Sequence, residues 1–518
     1  MDGPDRKNRA MPKIEATYQN LLAQLRGAAV LGSCVSVLGW DEQTYLPPAG
    51  ADHRAEQLAT LAGLTHERAT SPRIGELLTE LEHSGALGEP TSAMAVNVRE
   101  ARHSYDRATK LPRALVEELS RTTTLSQTAW VTARKNSNFA EFLPWLEKMV
   151  GLKREQAEAL GYSGGVPYDA LLDEFEPGAS SREIAAAFAP LRDELVKLVD
   201  AIKGSSRRPD VGPLTRRFPL EAQRQFATAA AKQIGFDFEA GRLDVAAHPF
   251  CSGQGPGDCR LTTRYNEQHF PGAFFGVLHE AGHGLYEQGL DRAAFGSPMG
   301  ETVSLGIHES QSRLWENFVG RSRAFWQHFF TPAQQAFPEA LTGVGLDDWY
   351  AAINDVRPSF IRVEADEVTY NLHIMLRFEL EQPLISGDLK PADVPAVWNE
   401  SFTRSFGMTP PDAARGCLQD IQWSAGLIGY FPTYSLGNMY AAQFYEAAQR
   451  DLGDLPAQFA RGEFRPLLDW LRKNIHSRGK QLRAGELVQR VTGAPLTHQA
   501  LIAHLHRKFD PLFGLASN

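Results

Sequence analysis

A chain of 518 residues, 43% hydrophobic and 22% charged, has the composition of a globular protein and ample length for a large core. Its net charge of -9, with no basic stripe, argues against a nucleic-acid partner or an anionic membrane surface. Four cysteines in this length make no disulfide framework, so free thiols in a reducing cytoplasm are expected; Cys251 and Cys259, set around a Gly-rich bend, stay open to a disulfide or a metal.

The opening MDGPDRKNRAMPK is polar and lacks the apolar core of a secretory leader. LLAQLRGAAVLGSCVSVLGW follows; it is apolar, but Gln24 and Arg26 break it and it is short for a membrane span. Apolar residues recur at spacings of three and four through roughly 13–38, 90–108, 112–137 and 181–203, which predicts helices. In SSREIAAAFAPL, Ser181 precedes a helix with Glu183 in its first turn. Residues 236–250 and 257–265 alternate and are joined by a Gly/Pro-rich turn, predicting two strands of a small antiparallel sheet. From about 438 onward short helices return. No repeat, low-complexity tract or long linker divides the chain. It reads as one mainly α domain over 1–518, with a helical region at about 10–235, a sheet and metal-site region at about 236–435, and C-terminal helices at about 436–518.

FFGVLHEAGHGLYEQG (274–289) lies directly after the strands. On a helix His279 and His283 share one face and can offer two imidazoles to one ion. Glu280 projects beside that face and can reach a metal-activated water without taking a coordination position, which is the mechanics of HExxH. A catalytic zinc usually takes a third protein ligand. GETVSLGIHESQSRLWENF (300–318) has helical periodicity through Val303, Ile307, Leu314 and Phe318 and offers Glu309. Spacing favours Glu309 only modestly; Glu301 and Glu316 are rivals by type and His308 by chemistry.

HPF at 248–250, DCRLT at 258–262, HEAGH at 279–283, HESQ at 308–311, IRVEAD at 361–366 and GCLQDIQW at 416–423 occur in the order seen in one family. In these motifs, and in its opening VLGWDEQTYLPPAGADHRAEQLATLAGLTHE, the chain resembles the Taq-type (M32) metallocarboxypeptidases. The resemblance implies a large helical, saddle-shaped zincin-type fold with a small sheet beside the HExxH helix. It also implies a homodimer and removal of C-terminal amino acids from peptides, and it assigns the third ligand to Glu309. One position departs: the family's last motif ends in His-Trp, and here Gln422 precedes Trp423. A glutamine still donates a hydrogen bond but carries no proton or positive charge.

With zinc held by His279, His283 and Glu309 (cobalt or manganese can substitute), Glu280 is the expected general base. Tyr430 is the first candidate for holding the tetrahedral oxygen because of its place after the QW motif, and Tyr434 is the second. A free C-terminal carboxylate suits a guanidinium, and Arg362 is favoured over Arg260 for it. Arg260 shares a strand face with Asp258 and Thr262 and is equally readable as a structural ion pair. His248 is a candidate for the substrate groove, while His269, His308 and His373 read as supporting or packing residues. Tyr370 and His373, one turn apart, could share a site. The competing activities are a helical zinc oligopeptidase or endopeptidase and, from another class, an inactive helical binding protein.

Overall fold

The structure, a computed structural model, describes residues 4–515. Helices Pro4–Thr44, Ala93–Lys110, Arg113–Asn136 and Ser181–Gly204 cover the periodic stretches. In the last of these Ile184, Phe188, Leu191, Leu195, Leu198 and Ile202 are buried at alternating steps of three and four, and charged residues face out. Ser181 is already inside that helix; Ser180 precedes it, and the Ser181 N–H donates to Asp169 at 2.9 Å. Leu195 is fully buried, so Leu195→Ala is expected to cost about 2–5 kcal/mol.

The small sheet is present but mixed. β1 (Gly241–Val245), β2 (Cys251–Gly255) and β3 (Asp258–Thr263) stand in the order β1-β3-β2. The antiparallel partner of β3 is β2, which forms from the stretch expected to be a turn; the two make a hairpin around Gly257, whose φ of +84° needs glycine. β1 runs parallel to β3, with Arg242 opposite Arg260. The expected strand over 236–250 ends at Val245 because the chain turns away at HPF, where Pro249 has no N–H to give a ladder. That turn carries β2 to the far edge of β3, and Thr262 pins it: its hydroxyl accepts from the Phe250 N–H at 2.9 Å and donates to the Phe250 carbonyl at 3.2 Å.

A main core runs from Trp130 to Phe513 and includes both helices of the site; a small cluster around Leu21, Leu77, Leu78 and Leu81 lies near the N-terminus. Among the described residues one helix, with its apolar stretch at Pro12–Thr44, is long and apolar enough to cross a membrane by length and composition. Here it lies along Ala51–Ala69 and its end is fixed to the sheet. The Tyr45 hydroxyl donates to Asp244 at 2.5 Å, and the Arg242 and Arg260 guanidinium groups lie over Trp40 at 5.1 and 4.2 Å. The C-terminal region opens on a long helix, Pro432–Leu452, rather than the short ones expected, and shorter helices follow it.

Candidate active site

Two helices bring His279, His283 and Glu309, which could hold a metal ion, together. The first, Phe270–Glu287, has Pro271 in its opening turn, where a missing N–H costs nothing. The second, Leu305–Arg313, is capped by Ser304, whose hydroxyl accepts from the Ile307 N–H at 3.1 Å. A β-carbon on Gly282 would sit 2.6 Å from the Gln311 carbonyl oxygen, so only glycine lets the helices touch backbone to backbone. On the far side a β-carbon on Gly437, in Pro432–Leu452, would lie 2.6 Å from Glu309 Cγ. Glu309 is therefore pressed between two helices towards the histidines.

His279 Nε2 and His283 Nε2 lie 3.6 and 3.4 Å from the same Glu309 carboxylate oxygen. One ligand atom from each of the three residues falls within 4.8 Å of the others. Ligand atoms on a tetrahedral zinc stand about 3.3 Å apart, so a divalent cation fits this donor set.

The backs of the three ligands are also held. His279 Nδ1 is 2.9 Å from Glu316, which a π-helical segment at Leu314–Gly320 brings round behind it. His283 Nδ1 is 2.5 Å from His308 Nδ1, and His308 Nε2 is 2.9 Å from Glu287. The other Glu309 oxygen accepts from Arg313 Nε at 2.7 Å, and the Arg313 guanidinium lies 4.4 Å above the Tyr370 ring. Of the rival ligands, then, Glu316 and His308 support the imidazoles, and Glu301 pairs with Lys480 instead.

The electrostatics follow from burial and these partners. Burial and the neighbouring His308 push His283 down to about 3, leaving an uncharged imidazole with a lone pair to give. Burial opposes the charge on His279 too, but the Glu309 and Glu316 carboxylates raise it above its ordinary value. Burial would raise Glu316; the His279 hydrogen bond and the Arg313 and Arg321 charges outweigh it and hold the group at about 2. Glu280 has no such partners, and burial pushes its carboxyl up to about 7 against the pull of His279. That is the range of a general base working near neutrality.

A second cluster gathers the later motifs. Arg362 is 6% exposed; its Nε donates to Asp420 at 2.8 Å and its Nη1 to the Tyr370 hydroxyl at 3.2 Å. Asp420 also takes Arg377 Nε at 2.8 Å, and the two guanidinium groups hold its carboxyl at about 2 although burial opposes this. The Arg362 N–H donates to Gln419, so IRVEAD and GCLQDIQW are tied directly. Tyr434 lies under the Arg362 guanidinium at 5.2 Å, and Tyr430 packs edge-on against Tyr434 at 5.2 Å. Burial raises the Tyr430 hydroxyl, its hydrogen bond with Tyr434 works against this, and Glu309 adds to it, which ties this cluster to the first.

The remaining expected residues are more scattered. Arg260 makes two bonds to Asp258, at 2.9 and 2.7 Å, and stacks on Trp40, so it fastens the N-terminal helix to the sheet. His248 is exposed in the bend before β2 and has no side-chain hydrogen bond or ion pair among the described residues. Gln422 is buried, and its side-chain oxygen finds no partner. His269 is exposed at the start of the HEAGH helix, while His373 is fully buried against Phe402 and Phe406, where burial and the Arg377 charge lower it. Glu287, Arg313 and Arg377 were not singled out from sequence. Their signal was there in part: Glu287 continues the face of His279 and His283, and Arg313 stands four residues after Glu309.

A helical fold around this donor set defines a metal-dependent peptide hydrolase, and known proteins agree. The family model described as "Carboxypeptidase Taq (M32) metallopeptidase" matches residues 20–509. Thermostable carboxypeptidase 1 of Thermus thermophilus is 49% identical over 96% of this chain and 99% of its own, and carboxypeptidase 1 of Bacillus subtilis is 39% identical over 93% and 95%. The crystal structure of an M32 carboxypeptidase from Deinococcus radiodurans superposes with a TM-score of 0.92 at 40% identity, covering 96% of this chain and all 100% of that one. The chain belongs to the M32 family of metallocarboxypeptidases.

Proposed function

We propose that this enzyme releases C-terminal amino acids one at a time, with broad specificity, from peptides whose free carboxylate is held by Arg362. The observation that carries this reading is the Arg362 cluster, linked through Tyr434 and Tyr430 to the Glu309 side of the cation site. Asp420 and Tyr370 engage the Nε–H and one Nη1–H, so the second Nη1–H and both Nη2–H are left for the substrate. The charge is fixed by Asp420 rather than by the substrate, which suits a clamp that is ordered before binding.

His279, His283 and Glu309 would hold the cation; zinc suits two imidazoles and a carboxylate, and cobalt or manganese can replace it. Bound there, the ion supplies Lewis-acid polarisation of the scissile carbonyl and makes water more acidic. Glu280 takes a proton from the attacking water on its carboxylate oxygen and then gives it to the leaving amine. The Tyr430 hydroxyl donates to the developing oxyanion, with Tyr434 as the alternative donor. Gln422 stands where the family has a histidine, and its amide stays neutral at every working pH. His248 and Arg260 lie on the sheet side; Arg260 keeps a wall in place rather than meeting substrate.

The chain acts as one domain, in the cytoplasm and as a homodimer. The N-terminal helix pair favours the last point: no residue of Ala51–Ala69 is buried, and Val30 and Leu64 are 48% and 47% exposed, which suits a second copy against this face. The exopeptidase reading is tested with two peptides that differ only in a free or an amidated C-terminus. Rapid loss of the last residue from the free peptide alone is expected; equal cleavage of both would assign an endopeptidase.

A further inference from the structure

Cys251 on β2 and Cys259 on β3 point to the same side of the hairpin, and their sulfurs lie 3.6 Å apart. They are diagonal neighbours: Cys259 stands opposite Gly253, and the missing side chain there lets Cys251 reach across. Cys251 is partly exposed, while Cys259 is buried against the protein but lines a cavity of about 300 Å³ together with Gly253, Gly255 and Glu287. The same strand presses on the HEAGH helix, since a β-carbon on Gly253 would meet the Glu287 carboxylate at 2.8 Å. Glu287 bonds His308, and His308 bonds His283.

We propose that Cys251 and Cys259 are a reversible thiol–disulfide site, closed by hydroperoxides and opened by dithiols, whose closure is felt at His283. The second half rests on His283 being a cation ligand. Either thiol can donate its S–H to the other across this contact; Cys259, on the cavity wall, is the sulfur that meets the peroxide. It attacks the peroxide, the O–O bond breaks, and a sulfenic acid and one water (or alcohol) form. Cys251 then attacks that sulfur, the S–O bond breaks, a second water leaves with the remaining thiol proton, and the S–S bond forms. Two electrons pass from the sulfurs to the peroxide, and a dithiol returns them by exchange.

Diagonal cross-strand neighbours usually have α-carbons about 7–8 Å apart, whereas a disulfide wants about 4.4–6.8 Å. Closure therefore draws β2 towards β3, and the irregular register between Gly253 and Gly255 is where the strand can give. Movement of Gly253 changes the seat of Glu287 and, through His308, the orientation of the His283 ring.

The test uses full-length, cation-loaded protein treated with hydrogen peroxide, alkylated and digested with trypsin. Both cysteines fall in one peptide, Leu243–Arg260. It is expected to be two hydrogens lighter and unalkylated after peroxide, and doubly alkylated again after dithiothreitol. In parallel, kcat/KM is expected to fall at least about tenfold and a chelator to strip the metal faster, the usual scale for disturbing an outer partner of a ligand; both reverse with dithiothreitol. Cys251→Ser should form no disulfide and show no faster release of metal to the chelator after peroxide, and a Cys34→Ser/Cys417→Ser double variant should respond like the parent. Cys259→Ala serves where Cys251→Ser fails to fold. A doubly alkylated peptide after peroxide overturns the site. A formed disulfide with unchanged chelator release and unchanged kcat/KM overturns the coupling. The peptide mass and chelator release need no substrate, so they stand apart from the carboxypeptidase reading.

Discussion

Two regular helices that touch at Gly282 carry the candidate cation site, whereas the arginine–tyrosine cluster is assembled from connecting segments and residues of two further helices. In the first, His279, His283 and Glu309 have their Nδ1 atoms or second oxygen taken by Glu316, His308 and Arg313; the two histidine bonds run from the HEAGH helix to the Glu309 helix and its π-helical extension, and the Arg313 bond is an i,i+4 pair within the Glu309 helix. In the second, Asp420 binds two arginines that are distant from it in sequence, and aromatic faces fill the gaps. Helix geometry sets ligand positions locally, as a coordination sphere of fixed size demands. Arg362 is set instead by long-range bonds, its Nε to Asp420 and its backbone N–H to Gln419.

Glu309→Gln should divide the two regions most sharply. It removes the charged ligand, so bound metal is expected to disappear and kcat/KM to fall by about a thousandfold or more, while the Arg362 cluster and the fold remain. Arg362→Lys attacks the other half: kcat/KM on a free-carboxylate peptide should drop about 100-fold, and metal content should not change. Loss of metal in that variant would show that the halves are not separable. A smaller effect is expected from Glu316→Gln, which leaves the ligands but weakens metal affinity about 10- to 100-fold, read by titration against a chelator.

The same residue gives a pH prediction for the metal-free protein. The Glu316 carboxyl is lowered in the fold from an ordinary 4.5 to about 2. Its contribution to stability is complete above about 4.5 and is lost as the pH falls towards 2. Chemical denaturation of the parent should weaken through that window, and the Glu316→Gln variant should show a shallower slope there. The smallest change is expected from Gln422→His: kcat/KM should rise by a few-fold, and its pH profile should gain a limb near neutrality from a group that can now titrate.

Much of the first region was legible in the sequence, because i,i+4 spacing on a helix is a local property. His279, His283 and Glu280 could be assigned roles from that alone, but spacing favours Glu309 only modestly over Glu301 and Glu316. What separates them is tertiary: Gly437 lets a third helix press Glu309 inwards, the π-helical segment puts Glu316 behind His279, and Lys480 holds Glu301 elsewhere. Arg362 stands out by its place in the IRVEAD motif that the family resemblance supplies; that Asp420 would hold its Nε depends on residues 58 positions apart, which no periodicity encodes. The sheet misled for a similar reason, since alternation marks strands but not which neighbour they choose once the chain turns at HPF.

Glu280→Gln tests the central claim most directly, with metal content and kcat/KM measured on one preparation. The substitution leaves all three ligands in place and removes only the group that accepts the water's proton. The expected result is a full complement of metal and a loss of kcat/KM of about 100- to 10,000-fold, the range that general acid–base catalysis supplies. A variant that keeps its metal and cleaves as fast as the parent would contradict the role of Glu280 and with it the mechanism.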